Sequence, residues 1–499
     1  MAQTLLWYDL ETFGIHPAWD RIGQFAAQRT DYHFEPVDEP ISIYCRMGPD
    51  YVPDPDSCLL TGLTPRIVAE RGLTESEFAA RIHREMSVPG TCVVGFNTIR
   101  FDDEFVRNLF YRNFYDPYRR EYEDGNTRWD VLDLVRMTHD LRPDGLEWVY
   151  GDDGKPVFRL EELAAANRIE HDRAHDALSD VRATMALARL VHVKQPRLFS
   201  YHFKMRKKEA VRRLLNLQSP RPIVHSSGMF TRAGGRPGFS ASVDEIGNST
   251  SVVYPLSVHP SRSNVIIVYD LRFDPSDWID LEVAEIARRT FTKSSMLGAI
   301  ERVHFKGIHL NRSPAIAPIK TLTAERAGRL GIDLEECLAH AKLLANRDGL
   351  VQKVRQVYST TIEPSAVPRD PELQLYTGGF FGDEDRETFE QIHHLEPMEL
   401  IASAPRFLDS RGSELFRRYL ARNFLDLLQA GEQSRWMSHC ASRLLAPELD
   451  GVLDYGRFRR KVENLLARTD TQAHDKPILR DLLDYAVEID RDVLRYGQD

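Results

Sequence analysis

Over the first 195 or so residues the apolar positions switch repeatedly between alternation and a spacing of three or four, which predicts strands interleaved with helices. Thr4–Asp9 (T-L-L-W-Y-D), Ile22–Thr30 and Ile41–Arg46 read as three successive strands, joined by turns rich in Pro, Gly and Asp, and so predict a meander. Thr74 and Glu77 form a capping box ahead of S-E-F-A-A-R-I-H-R-E-M, in which Phe78, Ile82 and Met86 recur every four positions. A buried-type strand follows at 91–97 (T-C-V-V-G-F-N), then helices over roughly 101–113, 130–140, 160–167 and 176–193.

The texture changes at Q-P-R-L near 196. A basic helix around 202–215 and the strand pair S-V-V-Y-P-L-S-V and N-V-I-I-V-Y-D-L predict a smaller, mostly β domain. The segment E-P-S-A-V-P-R-D-P at 363–371 carries three prolines in nine residues and reads as a linker. Beyond it, 384–394, 412–431, 433–445 and 455–495 keep a 3.6-residue apolar spacing, so the last domain is expected to be helical. The expected organisation is an α/β multidomain chain divided at 1–195, 196–352 and 353–499.

Composition narrows the class. With 499 residues, 42% hydrophobic, 10% aromatic and 28% charged, the chain is long enough for several cores and is neither disordered, collagenous nor coiled-coil. The formal net charge of −10 means that a polyanion must be held by local basic patches, not by the global field. Five scattered cysteines (Cys45, Cys58, Cys92, Cys337, Cys440) lack zinc spacing and fit a reducing cytosol. The first residues resemble no signal peptide, and no run of about 18 apolar residues occurs. His393 and His394 lack spaced partners for zinc. There is no G-x-x-x-x-G-K-[ST], and A-G-G-R-P-G at 233–238 reads as a loop.

The chemistry lies in carboxylates. Asp9 and Glu11 stand at i and i+2 near the end of the first strand, where the two-residue period points both side chains to one face. Two carboxylates side by side repel unless a cation lies between them, and either could instead be an ordinary solvent-facing strand end. In G-F-N-T-I-R-F-D-D-E-F (95–105) a strand gives way to a helix, which puts Asp102 at the strand's carboxyl end, where α/β sheets gather ligands; Asp103 competes for that role. In H-D-A-L-S-D (175–180), five helical residues turn through about 500°, so His175 and Asp180 would lie about 140° apart. His175 is therefore expected on the loop or first turn, swinging toward the centre that Asp180 faces. The order D-x-E, D, H-x4-D supplies hard oxygen donors for two Mg²⁺ or Mn²⁺ ions bridging a phosphate, and a histidine able to take a proton near neutral pH. Asp9, Glu11, Asp102 and Asp180 are the expected metal ligands and His175 the expected general base.

Those motifs resemble the DEDDh branch of the DEDD exonucleases, and within it the bacterial exonuclease I family. The resemblance extends through W-Y-D-L-E-T-F-G-I-H-P-A-W-D-R-I-G-Q-F-A-A-Q-R-T-D, F-Y-R-N-F-Y-D-P-Y, R-W-D-V-L-D-L, F-R-L-E, V-H-S-S-G-M-F, Q-L-Y-T-G-G-F-F and Y-L-A-R-N-F, nearly the whole chain. It implies a ribonuclease H-like exonuclease domain, an SH3-like β-barrel domain and a C-terminal all-α domain. It also implies processive 3′→5′ degradation of single-stranded DNA to nucleoside 5′-monophosphates, in repair and recombination. The partners so implied are single-stranded DNA and the acidic C-terminal tail of single-stranded DNA-binding protein. The implied setting is a bacterial cytoplasmic, nucleoid-associated enzyme, and three domains around one strand fit a monomer. Two alternatives stand beside this reading: an exoribonuclease on the same core, since a metal site does not sense the sugar, and a non-catalytic single-strand-binding scaffold, for which a ligand should be missing.

A strand held without sequence preference needs cations along a groove and aromatic faces. Both abound between Arg107 and Arg142, although aromatics at helical spacing are commonly packing residues. By the resemblance, Arg107, Tyr118, Arg136, Arg142 and Arg159 fall at DNA-contacting positions. The run K-M-R-K-K-E-A-V-R-R (204–213) would put Lys204, Lys208 and Arg212 on one helical stripe, either a solvated face or a DNA contact.

Overall fold

The computed structural model describes residues 3–171, 176–231, 248–298, 300–360 and 367–497. Its contacts divide the chain into two compact units, one of Met1–Thr127, Asp172–Arg182 and Ser365–Asp499, the other of Arg128–His171 and Ala183–Pro364.

In the first unit the strand Thr4–Thr12 pairs antiparallel with Ile22–Thr30, which pairs antiparallel with Ile41–Tyr44, so the expected meander is present. On its other side Thr4–Thr12 pairs parallel with Thr91–Gly95, in a register from Thr4↔Thr91 to Trp7↔Val94. Leu6, Tyr8 and Leu10 face one side and pack against Phe78, Ile82 and Met86 of the helix Glu75–Met86 and against Phe105 and Leu109 of the helix Asp102–Arg112. That alternation turns Asp9 and Glu11 to the opposite face. The Thr74–Glu77 capping box forms, with Thr74 Oγ1 accepting from the Glu77 amide and the Glu77 carboxylate accepting from the Thr74 amide.

The rest of this unit is helical. Ser410–Phe424, Ala430–Leu445, Tyr455–Ala467 and Asp475–Asp492 build a core from Trp436, Phe458, Leu479, Leu482 and Ile489, joined by Phe13, Trp19 and Tyr51 from the amino-terminal residues. The helix expected over 455–495 is interrupted at 468–474, where Arg468 pairs with Asp470 at 2.7 Å and Thr471 Oγ1 donates to the Leu465 carbonyl, turning the chain. Residues 363–366 of the expected linker lie outside the described residues; its end is no loose tether, because Pro371 and Glu372 are buried in a short 3₁₀ turn, Pro371–Leu373.

The second unit carries a five-stranded antiparallel sheet in the order Phe305–His309, Arg262–Asp270, Thr250–His259, Ile223–Ser226, Ala315–Pro318. Ile223, Val253, Ile266, Val268, Ile308 and Ile316 form its core, with Val211 and Leu215 packed on them. The expectation of a mostly β region is corrected, because the helices Val283–Phe291, Leu334–Ala345 and Leu350–Ser359 accompany the sheet, and position 352 lies inside the last of these. The single basic helix is also corrected to two, Pro196–Lys204 and Lys208–Leu214, so Lys204 and Lys208 share no continuous stripe. The chain leaves helical geometry at Lys207 (ψ 119°), while the Arg206 guanidinium lies 3.6 Å over the Phe203 ring. The loop expected at 233–238 lies outside the described residues.

Candidate active site

The parallel pairing of Thr4–Thr12 ends at Trp7, so Asp9 and Glu11 project just past the carboxyl end of the paired strands. The register slips between Glu11 and Thr12, where Gly23 of the partner strand is the extra residue, so the ladder is broken immediately after the second carboxylate. Gly95 makes the close approach possible, since a Cβ there would lie 2.8 Å from the Tyr8 carbonyl oxygen and 2.1 Å from the Thr98 side chain. The chain then turns through Asn97 in the left-handed region (φ 66°), a conformation asparagine tolerates, and enters the helix Asp102–Arg112. Asp102 opens that helix and is 4% exposed. Asp180 lies in the first turn of the helix Ala177–Lys194, and the carboxylate of Asp176 accepts the Ser179 amide at 3.2 Å.

These elements bring Asp9, Glu11 and Asp180 together, with one carboxylate oxygen from each lying within 4.8 Å of the others. Burial and the charges of Asp102, Glu11 and Asp180 push Asp9 well above the usual carboxylate range. Glu11 is pushed up to about 8 by burial and by Asp180, Asp102 and Asp176. Asp102 therefore acts on both strand carboxylates although it is not in the closest trio. The four groups destabilise one another's charged forms, which a divalent cation would relieve. Hard oxygen donors at this spacing, Glu11 buried and Asp9 and Asp180 half-buried, suit Mg²⁺ or Mn²⁺.

Asp103 has other work. Its carboxylate accepts from the Tyr8 hydroxyl at 2.9 Å and from Arg120 at 2.7 Å, tying helix to strand. His175 lies outside the described residues. Asp176 was not singled out from the sequence; the signal was its place beside His175 in the same short motif.

The DNA-contact candidates lie in different settings. Arg159 precedes the helix Leu160–Ala166, its side chain is 66% exposed, and it pairs with Glu162 at 2.6 Å. Arg136 is half-buried against Asp133 at 3.2 Å, with its guanidinium 5.9 Å from the Phe158 ring centre. Arg142 donates to the carbonyls of Leu141 and Thr321. Arg107 is buried, with Glu104 at 2.7 Å and Glu121 at 2.8 Å balancing its charge, so it has little left for a phosphate. Tyr118 lies over the Arg107 guanidinium at 5.3 Å. Beside them are two exposed aromatics missed in the sequence, Tyr376 and Phe380, whose signal was ring residues flanking the G-G of Q-L-Y-T-G-G-F-F.

Comparison with known proteins completes the description. Family models match most of the chain: Exonuclease over residues 6–188, Exonuclease I SH3-like domain over 206–360 and Exonuclease I C-terminal domain over 369–489. The chain is 41% identical over 487 residues to exodeoxyribonuclease I of Escherichia coli (strain K12), covering 97% of this chain and 98% of that one. It is 39% identical over 485 residues to exodeoxyribonuclease I of Haemophilus influenzae, with 97% and 98% covered. Its structure is similar to that of E. coli exonuclease I in complex with a dA16 oligonucleotide, at TM-score 0.90 and 40% identity, covering 98% of this chain and 100% of that one. It is also similar to exonuclease I from Methylocaldum szegediense, at TM-score 0.89, 42% identity and the same coverage.

Proposed function

The chain belongs to the exonuclease I family, and from that premise we propose that it is a Mg²⁺-dependent exonuclease degrading single-stranded DNA processively from the 3′ end to nucleoside 5′-monophosphates. The observation that carries the reading is the gathering of Asp9, Glu11 and Asp180, with Asp102 acting on the first two, at the carboxyl edge of a sheet. Asp9, Glu11, Asp102 and Asp180 would hold two Mg²⁺ ions, for which Mn²⁺ can substitute. When bound, such ions neutralise the phosphate and favour in-line attack by water. His175 takes the proton of the attacking water on an imidazole nitrogen. The strand carboxylates, held in place by the meander, would hold the cations that neutralise the scissile phosphate. Arg159 offers an exposed cation for the backbone, supported by its 66% exposed side chain; Arg136, Arg142, Tyr118 and Arg107 line the same reading more weakly, because each already has partners within the fold.

The relatives' oligonucleotide complexes favour single-stranded DNA as the substrate of this chain. Three successive domains near 1–195, 196–352 and 353–499, the acidic tail of single-stranded DNA-binding protein as a partner, a monomeric state, a cytoplasmic, nucleoid-associated location and a role in repair and recombination belong to the same proposal.

The test is digestion of a 5′-labelled single-stranded DNA oligomer, with blunt duplex and RNA of the same sequence as controls, in Mg²⁺ and in EDTA. The expected result is a Mg²⁺-dependent ladder shortening from the 3′ end on single-stranded DNA alone, abolished by Asp9→Ala with binding retained. Digestion of RNA instead, or binding without cleavage by the unmodified protein, overturns it.

A further inference from the structure

The strand that carries Asp9 and Glu11 and the helix that opens at Asp102 meet in a buried polar contact. The two-residue period turns Tyr8 away from Asp9 and into the core that holds Phe105 and Leu109 of the helix Asp102–Arg112. Its hydroxyl donates to the Asp103 carboxylate at 2.9 Å, and Arg120 donates to the same carboxylate oxygen at 2.7 Å. Tyr8 is 2%, Asp103 1% and Arg120 2% exposed. Arg120 comes from the short 3₁₀ turn Arg119–Glu121, so the contact joins three separate stretches of chain. Among the described residues Arg120 Nε and Nη1 have no hydrogen-bond partner, and Glu121 stands 4.0 Å from Nη2. Asp103 is therefore the acceptor on which this buried guanidinium depends.

The place of this contact along the chain sets it apart from ordinary packing. Tyr8 immediately precedes Asp9, and Asp103 immediately follows Asp102, so the contact bridges the neighbours of two metal-site carboxylates. The helix needs such a hold at its start. Phe101, at the N-cap, provides no side-chain hydrogen bond, and the first turn carries three acidic residues, Asp102, Asp103 and Glu104. The Asp103 amide donates to the Thr98 carbonyl at 2.9 Å, but the Phe105 amide reaches the Phe101 carbonyl only at 3.4 Å. A first turn without a cap frays readily. Charge pushes the same way, because Asp102 is among the groups that raise Asp9 and Glu11, a repulsion that would drive the helix start away from the strand end. Asp102 also lies outside the closest trio of Asp9, Glu11 and Asp180, so its distance from that trio is set by where the helix begins.

We propose that Tyr8, Asp103 and Arg120 are positioning residues of the metal centre, holding Asp102 at a fixed distance from Asp9 and Glu11 so that a divalent cation meets ligands already assembled. The inference rests on the metal-dependent reading above. The three residues act through the backbone of positions 8–9 and 102–103, not by contact with the cation. Ligands held in place need no rearrangement when the cation arrives, and groups one step behind metal ligands typically contribute about ten- to a hundredfold to its affinity.

The experiment titrates the full-length protein with Mn²⁺ in the absence of DNA, following the electron paramagnetic resonance signal of the free ion, with melting curves recorded in EDTA. Tyr8→Phe removes one hydroxyl and keeps the ring in the core. It should raise the Mn²⁺ dissociation constant about tenfold and lower the melting temperature in EDTA by no more than about two degrees. Arg120→Met removes a nearby cation, which by charge alone would tighten Mn²⁺ binding; loss of the contact should instead weaken it about tenfold. Leu109→Ala opens a hole further along the same helix, and should lower the melting temperature further with Mn²⁺ affinity unchanged. Should Arg120→Met leave Asp103 too poorly compensated to fold, Tyr8→Phe alone decides. Unaltered affinity in Tyr8→Phe or tighter binding in Arg120→Met overturns the proposal. So does a loss in Leu109→Ala as large as in Tyr8→Phe, because affinity would then follow overall stability. If the unmodified protein binds Mn²⁺ and Tyr8→Phe binds it equally well, this inference alone fails; if the unmodified protein binds no Mn²⁺, the metal-dependent reading fails with it.

Discussion

Stripping divalent metal from the protein should make its stability fall as pH rises, and restoring Mg²⁺ should reverse the fall. Glu11 is 6% exposed, and its pKa rises from an ordinary 4.5 to about 8 in the fold. A carboxyl raised in this way keeps its proton in the folded protein after the unfolded chain has released it. Its stabilising contribution is therefore complete below about pH 4.5 and lost as pH climbs toward 8. Each pH unit in that window removes up to about 1.4 kcal/mol, so about 3 kcal/mol is gone by neutral pH and about 5 kcal/mol by its upper end. Asp9, raised for the same reasons, adds in the same direction.

Mg²⁺ at the cluster would take the place of that proton. The difference in melting temperature between Mg²⁺ and EDTA should then widen steadily from about pH 5.5 to about pH 8, by a few degrees in a chain of this size. Groups far from the cluster titrate identically in both conditions and cancel in the difference. Calorimetric titration of Mg²⁺ in two buffers of different ionisation enthalpy should also register proton release near neutral pH. Glu11→Gln should flatten the widening. A Mg²⁺ effect that is constant across this range, with no proton released, would refute the argument that carboxylate repulsion is what the metal relieves.

Other outcomes follow from the same geometry. Arg159→Ala should weaken binding to single-stranded DNA and reduce the slope of log affinity against log salt by about 0.7, measured by anisotropy across a salt series. His175→Ala should lower the rate of hydrolysis by about 10² to 10⁴ with strand binding retained, and His171→Ala should not; the reverse pattern would move the base to His171. Glu372→Gln should destabilise the protein by about 3–5 kcal/mol in denaturant unfolding, because it leaves buried arginines under-compensated. Since Arg422 and Arg21 hold the carboxyls of Glu372 and Asp50 well below the usual range, the unmodified protein should also lose stability as pH falls below about 4.

The legible parts of this chain are those written in local periodicity. The meander shows because its strands alternate or run apolar between turn residues, and the helix Glu75–Met86 shows because its capping box and its four-residue apolar spacing agree. The strand-end carboxylates were visible for the same reason: a two-residue period fixes which side chains share a face. The helix break at 205–207 carries neither proline nor glycine, so no local signal announced it. The break after Ala467 did have one, the polar run R-T-D-T-Q, outweighed in the pattern by the apolar spacing on either side. The place of Asp102 at the strand's carboxyl end favoured it over Asp103 in sequence, but what Asp103 does instead was not legible there, because Tyr8 and Arg120 reach it only in the folded chain.

What local reading could not reach at all is the buried ion network. Arg21 binds Asp50 at 3.0 Å and Glu372 at 3.2 Å, Arg422 binds the same two acids, and Arg418 and Arg443 each bind Asp370 at 2.6 Å. Each of these residues looks like ordinary surface charge in sequence, and Arg21 and Glu372 are 351 positions apart. Desolvating so many charges is expensive, and apolar residues could fill the same space at less cost in stability, so the network argues for a geometric purpose. It clamps the turn Pro371–Leu373 from four arginines at once. Tyr376 stands three residues beyond that turn, where its hydroxyl reaches Glu104, and Phe380 follows four residues later. A segment fixed so firmly at its root holds two exposed rings, Tyr376 and Phe380, beside the helix that begins at Asp102 with little freedom of its own, so ion pairs far apart in sequence set the surroundings of the local carboxylate motif.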